Sequence, residues 1–195
     1  MEIGAIILAA GFGKRFGSDK RLAPLNGKTV VETTVQTYLS VFTSLKVVLR
    51  TDDLELADRL PAQAERIFTD QAHLGMGHSL AAAIPGLDWH WAFVGLADMP
   101  FIQPLTLQQL VDAAGVTKKT ILRPQLGPKL TSSAGDPPHG HPIGFHRTLF
   151  PALADLTGDR GARDLLKARF DEIEDIPLAD PGILRDIDHA TDLHS

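Results

Sequence analysis

The chain has no cysteine, which excludes disulfides, thiolate zinc sites and cysteine nucleophiles. Tryptophan is rare: only Trp89 and Trp91 occur, and both read as core or strand-edge packing rather than as a stacking platform. Basic charge is not in excess. Nineteen Lys and Arg face 24 Asp and Glu, for a net charge of −5, which argues against a nucleic-acid binder while leaving room for a local basic pocket for a small anion. No apolar run approaches the ~20 residues that a membrane-spanning helix needs. Glu2 runs directly into a short apolar stretch, without the basic start and long apolar core of a signal peptide. A soluble, cytoplasmic protein with neither nucleic-acid nor membrane partners is expected. At 195 residues with 44% hydrophobic composition, one domain over residues 1–195 is expected, large enough to bury roughly 70% of its unfolded surface.

Short apolar runs alternate with amphipathic segments, the pattern of an α/β domain with a largely parallel sheet. Residues 3–10 are apolar on both faces, as a central strand requires. Residues 29–43 repeat Val31, Val35, Tyr38 and Phe42 at helical spacing. Residues 45–49, 66–69, 91–97 and 120–122 read as further strands. Helices are predicted over 54–60, around Leu80, Ala83, Ile84 and Leu87, around Leu107, Leu110, Val111 and Ala114, and around Ala162, Leu165, Leu166 and Phe170. A Gly/Pro-rich loop is predicted from about 123 to 142.

Chemistry concentrates after the first strand, in Leu8-Ala-Ala-Gly-Phe-Gly-Lys-Arg-Phe-Gly-Ser-Asp-Lys20. Gly11, Gly13 and Gly17 allow turns that bring backbone N–H groups close to an anion. Lys14, Arg15 and Lys20 add positive charge, and polyphosphate suits the combination. The spacing is neither that of a P-loop nor that of the dinucleotide fingerprint; the alternative is a tight turn with solvated charges. Asp98 ends an apolar strand, where ligands of open α/β sheets bind. It is a hard oxygen ligand suited to Mg²⁺, or else a turn or helix-capping residue before Pro100. Gly75 and Ser79 lie in Leu74-Gly-Met-Gly-His-Ser-Leu80, where glycines and a helix start offer N–H groups to a base, ribose or phosphate. Ser79 reads equally as a plain helix-start residue. His139, His141 and His146 allow a zinc reading, weakened by the absence of cysteine and of matching carboxylates.

Residues 8–22 resemble the LAAGxSxRFGxxKxL signature of the MobA-like NTP transferase family, with Gly13 where serine is common, and most closely its molybdenum cofactor cytidylyltransferase branch. Five further segments fall in the family order. Ala97-Asp98-Met-Pro100 resembles its GDxP metal motif, and residues 74–80 its GMSSSL motif, with Gly77 and His78 in place of two serines. Gly140-His-Pro142 resembles GHP, and Gly158-Asp-Arg-Gly-Ala-Arg163 resembles GDxGAR. Residues 186–193 are similar to its DIDTPEDL element. The resemblance spans residues 3 to about 193.

The resemblance implies a three-layer α/β/α, Rossmann-like nucleotidyltransferase fold with a mostly parallel sheet. It implies that the loop formed by Leu8, Ala9, Ala10, Gly11 and Gly13 wraps the NTP phosphates, with Arg15 and Lys20 as charge partners and Lys14 solvated. Ala10, rather than glycine, leans the base toward cytosine. Asp98 and Asp188 would hold Mg²⁺, with Asp186 the alternative, because alternation along a strand lets only one of the pair face the site. His141 would meet an acceptor phosphate, its ordinary pKa being near ~6.5. Asp159 reads as a helix cap, and Arg160 and Arg163 are left open as anion binders. The implied reaction is CMP transfer from CTP to molybdopterin with release of pyrophosphate, with a molybdenum hydroxylase as eventual partner. Transfer to another small phosphate, such as a sugar phosphate, and a cofactor-binding chaperone without chemistry are the competing readings.

Overall fold

The computed structural model describes residues 1–11, 19–127 and 137–194. Along the chain run β1 (Ile3–Leu8), β2 (Pro24–Leu25), β3 (Lys28–Thr29), α1 (Val30–Leu39), β4 (Ser44–Arg50), α2 (Leu54–Arg59) and β5 (Ala64–Thr69). They are followed by α3 (Met76–Ala83), β6 (Trp91–Leu96), α4 (Pro104–Val116), β7 (Ile121–Leu126), β8 (Ile143–His146), α5 (Phe150–Ala154), α6 (Arg163–Ala168) and β9 (Ile173–Leu178). Among the described residues no helix is long and apolar enough to cross a membrane.

Seven strands form one sheet in the order β5-β4-β1-β6-β8-β7-β9, and β2 and β3 pair separately. Every ladder joining β5, β4, β1 and β6 is parallel, as is β7 with β9. β8 runs antiparallel to both of its neighbours, β6 and β7. Side chains alternate faces along a strand, and the core divides accordingly. Ala5, Ile7, Val47, Leu49 and Phe93 point to one side, where Val31, Val35 and Tyr38 of α1, Leu56 of α2 and Leu107 and Leu110 of α4 cover them. Ile6, Leu8, Val48, Ala92 and Val94 point to the other, beneath Leu80 of α3, Leu153 of α5 and Leu165 and Leu166 of α6. The result is the three-layer, mostly parallel architecture expected.

Local chemistry fixes the element starts. Thr29 and Glu32 form a reciprocal capping box at α1, and Pro104 opens α4, where a missing N–H costs nothing. Several boundaries differ from expectation. The helix predicted around 80–87 begins at Met76 and ends at Ala83, because Gly75 turns the chain with φ 121° immediately before it. Residues 123–126, assigned to a loop, extend β7, and the end of that same loop runs into β8. α5 and β9 carry no prior assignment. The segment before Asp186 is a one-turn 3₁₀ helix, Pro181–Leu184, not a strand.

The strand order positions the site. From β1 the chain builds outward through β4 to β5, then crosses back to lay β6 on the opposite flank of β1. The carboxyl ends of β1 and β6 therefore form the point at which strand order reverses, where open α/β sheets bind ligands. Leu8 pairs with Leu96, so Ala9-Ala-Gly11 and Ala97-Asp98 leave the sheet side by side.

Candidate active site

A cavity of about 330 Å³ opens at these strand ends, lined by Leu8, Ala10, Gly11, Gly75, Ser79 and Asp98, together with Ala72, His73, Met76, Leu96 and Asp159. Glycines and small side chains alternate there with Leu8, His73, Met76, Leu96 and the two carboxylates. Ala9 is absent from that lining. Its methyl is buried on the opposite face of the sheet, its N–H donates to the Val48 carbonyl at 2.9 Å, and its own carbonyl accepts from Arg21 Nη1. Alternation along the extended chain thus turns Ala9 away from the cavity that Leu8 and Ala10 line, a correction to its expected role. Gly13 and Arg15 lie outside the described residues.

Asp98 is held by the backbone on both sides. The Ala97 N–H donates to the Leu8 carbonyl at 3.1 Å, and the Asp98 carbonyl accepts the Ile187 N–H at 2.9 Å. The second bond brings the segment after the 3₁₀ turn against β6. Asp98 caps no helix, since Gln103 holds the position before α4. Ala97, where the family motif has glycine, has no positive φ and packs into the core.

Lys20 projects between two carboxylates. Its Nζ lies 2.7 Å from Asp98 Oδ2 and 3.0 Å from Asp188 Oδ1. Burial works against the ammonium, yet the hydrogen bonds and charges of Asp98 and Asp188 outweigh it, and the pKa rises above the ordinary lysine value. Lys20 is therefore charged at any physiological pH. Asp188 is the acidic residue of the terminal segment at this cluster, while Asp186 is exposed. Asp192 takes a capping role, accepting from the Asp188 and His189 N–H groups at 2.9 and 2.7 Å.

The residues fit a divalent cation. Asp98 Oδ1 is buried and has no hydrogen-bond partner among the described residues, so one lone-pair-bearing oxygen is held dry beside a second carboxylate. No group of three or more His, Cys, Asp or Glu residues suited to a metal occurs among the described residues. Two carboxylates suit Mg²⁺, which completes its shell with water and substrate phosphate oxygens. The same finding removes the zinc reading. His139 Nε2 lies 3.3 Å from Asp175 Oδ1, His141 is half-buried with its Nδ1 out of solvent, and His146 packs edge-on to Trp91 at 5.3 Å and bonds Thr148.

A second cavity of about 410 Å³ adjoins the first, sharing Leu8, Met76, Leu80's helix, Leu96 and Asp159. Its floor is apolar (Leu80, Val94, Ile143, Phe145, Leu166) and its rim carries Arg123, His139, His141, Arg160 and Arg163. Arg123 is already committed to Asp175, with Nε at 2.7 Å from Oδ1. His141 Nδ1 is buried without a hydrogen-bond partner among the described residues. Burial lowers the His141 pKa, more than the Val94 backbone and the Asp98 and Asp186 carboxylates raise it, so the ring is neutral at pH 7. Asp159 does not cap α6, where Ala162 holds the cap position; it borders both cavities.

The departures from the family motif at residues 77 and 78 have a structural explanation. The Gly77 N–H donates to the Gly158 carbonyl at 2.8 Å, and the Gly158 N–H donates back to His78 Nδ1 at 3.1 Å. A Cβ on Gly77 would lie 2.6 Å from the Thr157 carbonyl oxygen, and one on Gly75 only 2.3 Å from that of Gly158. The start of α3, which serves the first cavity, is thereby stapled to the 157–163 turn that serves the second.

Sequence reasoning missed one charged cluster. Arg21, Asp19, Asp53 and Arg50 converge next to the Ala9 carbonyl, and Arg21 is 3% exposed. Asp53 precedes α2 but makes no side-chain cap there.

A lysine held between two carboxylates at the strand-order reversal, with one of those carboxylates lining a crevice, suits an α/β protein that handles nucleotides. The MobA-like NTP transferase domain model matches residues 5–173, and the chain belongs to that family. The bifunctional protein GlmU of Janthinobacterium sp. (strain Marseille) is 36% identical over 126 residues, covering 63% of this chain and 28% of that protein. The chain thus spans little more than a quarter of that relative's length. Among solved structures, the Rv0371c homologue from Mycobacterium sp. strain JC1 is 26% identical, with a TM-score of 0.81 over 97% of this chain and 92% of the other. Rv0371c of Mycobacterium tuberculosis H37Rv in complex with manganese is 22% identical, with a TM-score of 0.74 over 91% and 88%; it shares the fold.

Proposed function

We propose that the chain is a Mg²⁺-dependent nucleotidyltransferase that moves CMP from CTP to a phosphorylated acceptor, molybdopterin by resemblance, and releases pyrophosphate. The observation that carries this reading is the Asp98–Lys20–Asp188 cluster, whose Asp98 lines the first cavity. The 330 Å³ cavity takes the nucleotide. Its Ala10 methyl narrows the base end, which favours a pyrimidine. The 410 Å³ cavity takes the acceptor, its apolar floor meeting a flat organic body and Arg160 and Arg163 meeting an anionic group. A molybdenum hydroxylase would then receive the product.

A phosphate oxygen on the acceptor is already ionised near neutral pH, so the attack on the α-phosphorus needs no strong base. The protein's contribution is placement and charge neutralisation. Asp98 and Asp188 would hold a divalent ion, which would supply positive charge against the α-phosphate. Lys20 has three N–H groups; two face the carboxylates, and the third is available to a phosphate oxygen. Arg15 and the backbone around Gly11 and Gly13 complete the reading as partners of the leaving pyrophosphate. Neutral His141 offers its buried Nδ1 to a proton on the acceptor.

Pyrophosphate release measured across CTP, GTP, ATP and UTP with Mg²⁺, with molybdopterin, with sugar phosphates and without acceptor, tests this directly. Release with CTP and molybdopterin is expected. Release only with a sugar phosphate would move the acceptor to the second reading. Nucleotide binding without release under every condition would leave a chaperone and sink the enzyme.

A further inference from the structure

The buried Arg21 side chain ties Ala9, just past the end of β1, to Asp19 and Asp53. Arg21 Nη1 donates to the Ala9 carbonyl and, at 2.7 Å, to Asp53 Oδ2. Its Nη2 donates to Asp53 Oδ1 at 2.7 Å and its Nε to Asp19 Oδ1 at 2.8 Å. Arg50 braces the arrangement from β4, with Nη2 2.6 Å from Asp53 Oδ1 and its backbone N–H 2.9 Å from Oδ2. Burial opposes ionisation of Asp19 and Asp53, yet the two arginines hold both carboxyls below their ordinary range.

Only a guanidinium presents donors in a rigid planar fork able to engage two carboxylates and a carbonyl at once; an ammonium on a flexible stem cannot. The Arg21 N–H also bonds Asp19 Oδ1 at 3.0 Å. The one-turn 3₁₀ helix Lys20–Leu22 is therefore fixed at its centre, and Lys20 is the residue immediately before that anchor. Stability alone gives little reason to bury such a cluster, since apolar side chains of similar volume commonly serve as well.

We propose that Arg21 is a positioning residue that clasps Ala9, Asp19 and Asp53 together, and so holds the Lys20 ammonium between Asp98 and Asp188. The triphosphate then meets charge that is already in place. This rests on the nucleotidyl-transfer reading, and the test separates the two.

Binding of CTP and of inorganic tripolyphosphate, each with Mg²⁺, is measured calorimetrically on the full chain carrying Lys20→Met, Arg21→Lys, or both, with thermal unfolding recorded for each. Lys20→Met is expected to weaken binding by about thirtyfold and Arg21→Lys by about tenfold, the scale of charge-assisted contacts. In the Lys20→Met background, Arg21→Lys should add less than about threefold, the non-additivity of residues that act through one another. Asp53→Asn should reproduce the Arg21→Lys pattern, and stands in for it if that variant unfolds. Binding by Arg21→Lys within about twofold of wild type, or a full tenfold loss in both backgrounds, would overturn the proposal. Failure of both Arg21→Lys and Asp53→Asn to fold would overturn it too, by assigning the cluster to the core. Undiminished binding by Lys20→Met alone would instead overturn the functional reading.

Discussion

The cavity at the ends of β1 and β6 carries Ala10, Gly11, Ala72, Gly75 and Ser79 among its walls, whereas the one beside β8 carries Val94, Ile143, Phe145, Arg123, Arg160 and Arg163; Leu8, Met76, Leu96 and Asp159 line both. The first takes its shape from backbone that the parallel sheet and the Arg21 cluster hold in place. The second takes its shape from side chains on a short antiparallel strand and on partly exposed elements. On the proposed reading, the part of the reaction that handles triphosphate is built into the fold. The part that selects the acceptor can change by substitution without disturbing it.

Substitutions that strike one cavity and spare the other sharpen this contrast. The largest effect is expected at Asp98, which lines the first cavity alone. Asp98→Asn should lower pyrophosphate release by about 10²–10³ while circular dichroism and the melting curve stay near wild type. A variant retaining more than about a tenth of the activity would remove Asp98 as the metal ligand. Next, Arg163→Ala should raise the acceptor KM by about tenfold, the value of one charge-assisted contact, and leave the CTP KM within about twofold. Equal shifts in both constants would erase the division between the cavities. The smallest effect is expected at the staple. His78→Ala leaves the Gly158 N–H without its acceptor, at a cost of about 1 kcal/mol and a few degrees in Tm. It should raise the acceptor KM a few-fold, through the 157–163 turn, while CTP binding holds; a change confined to CTP would mean that the staple serves the other side.

The same contrast governs what could be read beforehand. β1, β4 and β6 stood out because burial on both faces demands unbroken apolar runs. β8 did not, since four residues at the end of a Gly/Pro-rich stretch acquire strand character only from partners distant in sequence. β9 was hidden by Glu174, Asp175 and Pro177, which an edge strand tolerates. Asp188 was assigned by strand alternation, but a backbone bond from Ile187 to Asp98 brings it in along an irregular segment. The Ala9 error has the opposite origin: alternation does apply there, and it turns the residue away from the cavity. The Arg21–Asp53 pair joins segments 32 positions apart, and no local pattern encodes such a contact.

Leu8, Met76, Leu96 and Asp159 face both cavities, so the compartments are separated by no more than a side chain's width. A dinucleotide formed across that partition would be gripped at each end, and its affinity would combine those of its two halves. Departure of the finished molecule, rather than bond formation, would then pace the cycle. An enzyme so arranged would hand its product onward to a recipient that prises one end free.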